Sequence, residues 1–143
     1  MRSWTIAMLA STALAVSACG STARGTTTPR PPAPVNLTVY IDNSRVSVSP
    51  RTVGAGPVAF IITNQASQTE SLAILPAGAS AGQPLANTGP INPQGTAQVT
   101  VNFSSSGAYS IATGDAGSGS SIQAALIRIG AKRSSSDNQL LQP

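Results

Sequence analysis

From residue 35 onward, apolar and polar side chains take alternate positions. Leu37, Val39 and Ile41 interleave with Asn36, Thr38 and Tyr40. Successive side chains of a strand point to opposite faces, so this period of two predicts a strand with one buried face. The same pattern returns at Val46 and Val48 after a turn at Asp42 and Asn43, and at Val58, Phe60 and Ile62 after a turn over residues 53–57. It returns again at Leu72 and Ile74, at Val99, Val101 and Phe103, at Tyr109 and Ile111, and at Ala125, Ile127 and Ile129. Gly, Pro, Asn and Ser separate these runs, and no long run carries the 3.6-residue period of an amphipathic helix. Residues 76–93 read as a polar crossover with little regular structure. The expectation is an all-β Greek-key β-sandwich over residues 35–130; with Tyr40, Phe60, Phe103 and Tyr109 its only aromatics, its core must be mostly Val, Ile, Leu and Ala.

The flanks have a different pattern. Residues 1–18 place one basic residue, Arg2, before an apolar and small-residue run that is too short for a comfortable membrane span. That run ends at Val16-Ser17-Ala18-Cys19, which resembles the bacterial lipoprotein lipobox: an aliphatic residue, two small ones and a Cys. The resemblance implies cleavage before Cys19 and acylation of Cys19, hence a membrane partner reached through a lipid anchor on the extracytoplasmic face of the cell membrane. Several acyl chains make a stable anchor, since each buried methylene contributes about 0.8 kcal/mol. Residues 20–34 hold four prolines and nothing that fills a core. At about 3.1 Å per residue such a spacer reaches roughly 45 Å. Residues 131–143 read as a polar tail.

Composition narrows the chemistry. Only 8% of the 143 residues are charged, and the chain has one Cys and no His. The formal charge is +4, but its eight Lys and Arg are scattered rather than clustered as a nucleic-acid surface requires. No nucleic-acid partner is expected. Removal of the leader that carries Arg2 leaves seven basic residues against four acidic ones, a charge of +3. With Cys19 acylated, no thiol remains for a disulfide. A Ser-His-Asp triad is impossible without histidine. The sole carboxylate pair that the expected fold brings to one end is Glu70 with Asp115, and the bland reading of that pair is two solvated loop acids.

The order of the strands resembles the cupredoxin-like family. Residues 50–64, with Pro50, Gly56-Pro57 and Asn64, are similar to that family's run from a proline through a Gly-Pro turn to an asparagine. Asn92-Pro93-Gln94-Gly95-Thr96 is similar to its turn before a strand, and Gly107-Ala108-Tyr109 to its approach to the metal loop. The resemblance covers residues 36–129. Laid onto this chain, the copper ligands of that family fall near Glu70, Thr113, Ser118 and Ile122, where imidazole, thiolate and thioether are all missing. A GC-rich coding bias, seven Arg to one Lys, suggests an actinobacterial type of lipoprotein.

The loop at residues 114–121, GDAGSGSS, nearly spells a phosphate loop, but Ser120 stands where the lysine belongs and a strand, not a helix, is expected to follow. Asp115 alone is too few carboxylates for calcium and suits an Asx turn. No cofactor, no metal and no enzymatic activity are expected. The expected function is a lipid-anchored interaction module for an envelope protein partner, with loops at residues 65–71 and 114–121 presenting Gln68, Glu70, Thr113, Asp115 and Ser118. The alternative is a copper-binding or electron-transfer protein with a non-standard site.

Overall fold

The computed structural model describes residues 31–78, 83–114 and 121–134. Cys19, Asp115 and Ser118, together with the leader and most of the tail, lie outside them. Eight strands make up the regular structure among the described residues, with no helix. They are β1 (Val35–Ile41), β2 (Val46–Ser49), β3 (Thr52–Asn64), β4 (Leu72–Pro76), β5 (Ala86–Asn87), β6 (Thr96–Phe103), β7 (Gly107–Thr113) and β8 (Ala125–Lys132).

The strands form two layers that share β3. In one layer β1 pairs antiparallel with β2 and parallel with β3, and β6 lies antiparallel on the other edge of β3. In the other, the start of β3 pairs parallel with β8, followed by β7, β4 and β5 in antiparallel order. The chain crosses between layers from β2 to β3, within β3, and again between β3 and β4, β5 and β6, and β6 and β7, as Greek-key sandwiches do. The expected all-β sandwich is therefore what forms.

The alternating apolar positions meet between the layers. Leu37, Val39, Ile41, Val58, Phe60 and Ile62 face Leu72, Ile74, Ile111, Ile127 and Ile129, all 2% exposed or less. Each such side chain contributes about 1.5–3 kcal/mol on burial. Phe103 connects the few aromatics, edge-on to Phe60 at 6.3 Å and to Tyr109 at 4.6 Å between ring centroids. Tyr40 is 44% exposed on the outer face of β1, the face to which its alternation with Leu37, Val39 and Ile41 assigns it.

Two expectations need correction. Residues 53–57 are not a separate turn but part of β3, because their backbone keeps its strand partners while changing them. Pairing with β8 ends in a register shift between Gly54 and Ala55, and pairing with β6 begins at Gly56. The extra residue of that shift, Ala131, lies on β8, and β3 passes from one layer to the other as it exchanges β8 for β6 over Ala55 and Gly56. Gly56 holds φ +133° at this bend, and a Cβ there would come within 3.0 Å of Pro32 and of the Arg133 guanidinium. The crossover at residues 76–93 also contains more order than its polarity suggests. Within it β5 pairs with β4, and Ile91 bridges to Glu70. These pieces are too short for an alternating pattern to declare itself.

At the opposite end of the chain, β8 continues to Lys132, and Arg133 is fixed beyond it. The Arg133 N–H donates to the Ala55 carbonyl at 3.0 Å. Its guanidinium donates to the carbonyls of Gly54 (3.2 Å), Ala33 (2.6 Å) and Pro57.

Candidate functional site

The loop at residues 65–71, singled out from sequence, meets the turns at residues 42–45 and 92–95 where β1 and β3 end. The Ile41 carbonyl accepts the Gln65 N–H at 2.8 Å, which joins the turn after β1 to the loop after β3. Within the first turn, Asp42 Oδ1 accepts from the Ser44 hydroxyl (2.6 Å), the Ser44 N–H (2.7 Å) and the Arg45 N–H (2.9 Å). These donors hold the Asp42 carboxyl below its ordinary range, the Ser44 hydroxyl most of all. Asn43 Oδ1 accepts from the Ser67 N–H (2.8 Å) and hydroxyl (3.0 Å), pinning the same turn to residues 65–71.

Asn64 organises the other side. It is fully buried, at 0% exposure, and its amide is used in both directions. Nδ2 donates to the carbonyls of Gln68 and Ile91, each at 2.8 Å, and Oδ1 accepts the Ala66 N–H at 2.9 Å. The Asn64 backbone holds the turn at residues 92–95, through Gln94 N–H to Asn64 carbonyl (2.7 Å) and Asn64 N–H to Gly95 carbonyl (2.9 Å).

The candidate residues separate into distinct places. Gln68 is exposed and uses its carbonyl to accept from Asn64. Glu70 is half-buried, its backbone exchanging bonds of 3.1 and 2.7 Å with Ile91. Thr113 is 3% exposed at the end of β7, opposite Leu72. The next residue, Gly114, donates to the Ser71 carbonyl at 3.0 Å. Glu70 and Thr113 are therefore brought to the same end of the sandwich, two residues before Leu72 and opposite it respectively. Ile122 is buried in the core at 8% exposure. Among the described residues, no group of three or more His, Cys, Asp or Glu comes together.

One geometric relation joins this cluster to the rest of the chain. The incoming segment at Pro32 and Ala33 meets Arg133 and Gly56 at the Val35 end of β1, whereas the loops cluster at the Ile41 end. Six residue steps along β1 separate the two ends, about 20 Å at 3.3 Å per residue. Asn64 and Arg133, which organise the two ends, were not singled out by sequence reasoning. The family-like run ending in Asn64 was the only signal of either.

No family model matches the chain, and no curated protein matches it. Among solved structures it is similar to auracyanin A, described as a "blue" copper protein from the green thermophilic photosynthetic bacterium Chloroflexus aurantiacus, with 14% identity over 68% of this chain and 100% of that one, at a TM-score of 0.49. It is similar also to dithionite-reduced auracyanin from Roseiflexus castenholzii, at 14% identity over 68% and 96% of the two chains and a TM-score of 0.48. A multicopper oxidase matches at 15% identity, 71% of this chain and 46% of that one, with a TM-score of 0.48. Likenesses this distant carry no copper chemistry to this chain, whose fold rests on its own strand pairing.

Proposed function

We propose that this chain is an extracytoplasmic lipoprotein, anchored through acylated Cys19, whose sandwich is a non-enzymatic interaction module for an envelope protein partner. The observation that carries the reading is the opposition of the two ends. The chain arrives at the Val35 end of β1, and the loops at residues 42–45, 65–71 and 91–95 are joined by hydrogen bonds at the other. A tether at one end leaves the opposite end facing outward, and loops on a rigid scaffold are the usual site of recognition. Gln68, Glu70 and Thr113 belong to that end. Asp115 and Ser118 follow Thr113 in the adjoining loop of the sequence.

The test is affinity capture from crosslinked cell envelopes with three forms: the natural chain, a variant with residues 113–121 shortened to a tight turn, and Cys19→Ala. The natural chain is expected to partition with the membrane and capture a defined partner, the shortened loop to stay anchored and lose it, and Cys19→Ala to leave the membrane. Membrane partitioning unchanged in Cys19→Ala would refute the anchor. Equal capture by the shortened, still folded variant would refute the recognition end.

A further inference from the structure

The two layers meet along a seam between β2 and β8. At one point Val46 N–H donates to the Gln123 carbonyl and Gln123 N–H to the Ser44 carbonyl, both at 2.8 Å. Further along, Arg128 N–H donates to the Arg51 carbonyl, again at 2.8 Å. Between these closures the chains separate, because Val46 to Ser49 pair with β1 while Ala125 to Ile127 pair with β7. Their separation opens a cleft of about 280 Å³ lined by Arg45, Val46, Arg51, Gln123 and residues 124–126.

One guanidinium belongs to each closure. Arg45 bridges to Gln123, and Arg51 precedes the first pairing of β3 with β8 at Thr52 and Arg128. The Arg45 Nε lies 3.7 Å from Asp42 Oδ2, a loose pair whose Asp42 partner spends its other oxygen on the turn. Among the described residues Arg51 has no acidic partner. Strand N–H groups alternate in direction, and the Arg128 N–H points across the seam. The Leu126 N–H, two residues earlier, therefore points into the cleft, where β3 has not yet begun to pair. The Leu126 side chain, 62% exposed, forms an apolar rim, with Arg128 next on the same face of β8.

We propose that this cleft binds a phosphate group, held between the Arg45 and Arg51 guanidinium groups with the Leu126 N–H as a third donor. Planar guanidinium forks match the paired oxygens of a phosphate, and a concave site favours a single group over a flat anionic surface. Arg45 and Arg51 line the cleft and Asp42 stands against Arg45, a local charge of +1, two positive less one negative. A phosphate monoester offers three acceptor oxygens, enough to engage both guanidinium forks and the Leu126 N–H together, whereas a carboxylate offers two. Arg45 belongs to the turn at residues 42–45, but the site uses none of residues 65–71 or 113–121 and does not need the anchor, so loop shortening and Cys19→Ala leave it in place.

The full chain is titrated with inorganic phosphate at low ionic strength, by calorimetry and by NMR of backbone amides. The Leu126 amide is expected to move saturably, and Arg51→Gln to weaken binding by about tenfold. Arg51→Lys, which keeps the charge and loses the fork, should fall between. Lys132→Gln removes the same charge away from the cleft and should change affinity by less than about twofold. In a second arm, phosphatidylcholine vesicles with and without phosphatidic acid replace inorganic phosphate. Binding to the acidic vesicles that Arg51→Gln abolishes assigns the phosphate to a lipid headgroup, and binding to inorganic phosphate alone assigns it to a free phosphate. A Leu126 amide unmoved by either probe overturns the proposal, as does equal weakening by Lys132→Gln and Arg51→Gln. Arg51 lends the fold only its backbone carbonyl, and near-UV circular dichroism checks that each variant keeps the native packing.

Discussion

Asn64 touches no solvent, yet three backbone groups in two segments depend on its side chain. An amide can do this because it donates through Nδ2 and accepts through Oδ1, and neither an aliphatic nor a carboxylate can do both. Asn64→Ala leaves the buried Ile91 carbonyl and Ala66 N–H without that partner. The expected loss is about 2–4 kcal/mol of unfolding free energy, read by urea denaturation. Asn64→Asp, nearly identical in shape, should cost at least as much at neutral pH, because its charge faces two carbonyls and donates to neither. A tolerated Asn64→Asp would mean that the loops at residues 65–71 and 91–95 do not hang on this amide. Part of this end was legible in the sequence. The resemblance of the strand order to the cupredoxin-like family put Glu70 and Thr113 at one end. The role of Asn64 was not legible, because a buried amide at a strand end has no periodic signature.

The turn that Asn64 holds has a residue in the wrong region of backbone space for its type. Pro93 and Gln94 are the central residues between Asn92 and Gly95, whose N–H closes the turn on the Asn92 carbonyl at 2.8 Å. Gln94 has φ 65°, the positive value that the second central position of a type II turn demands and that glycine adopts freely. A left-handed conformation costs an ordinary residue roughly 1–2 kcal/mol, and glycine's extra freedom in the unfolded chain returns about half of that. Gln94→Gly should therefore raise stability by up to about 1 kcal/mol in thermal unfolding. Its neighbour behaves oppositely. A Cβ at Gly95 would sit 2.7 Å from the Asn92 backbone carbonyl, so Gly95→Ala destabilises. The same sign at both positions would refute the turn geometry. Strand positions were readable here because one face of each is buried: Leu37, Val39 and Ile41 declare β1 by themselves. The bend in β3 was not, since Gly54 to Pro57 carry the residues of a turn while their backbone continues its ladder.

Two hydrogen-bonded ends with an apolar interior between them describe the molecule as a mechanical object. At one end Arg133 gathers the incoming chain at Ala33, the bend of β3 at Gly54 and Pro57, and its own strand. At the other, Asn64 and Asn43 gather the loops. Arg133 was invisible in a tail read as polar, because a cation that bonds to carbonyls leaves no hydrophobic trace. Removing its guanidinium with Arg133→Gln should cost about 1–3 kcal/mol. It should speed amide exchange at Val35 and Val58 and leave Gln65 and Gly95 unchanged. Seven residue steps along β3 separate Pro57 from Asn64, about 23 Å, and the two networks share no bond. Changes that far apart add, so the combined Arg133→Gln and Asn64→Ala chain should lose the sum of the single losses within about 0.5 kcal/mol in urea unfolding. A coupling larger than about 1 kcal/mol would show that the tethered end and the loop end report to each other through β3, and that tension on the tether reaches the loops.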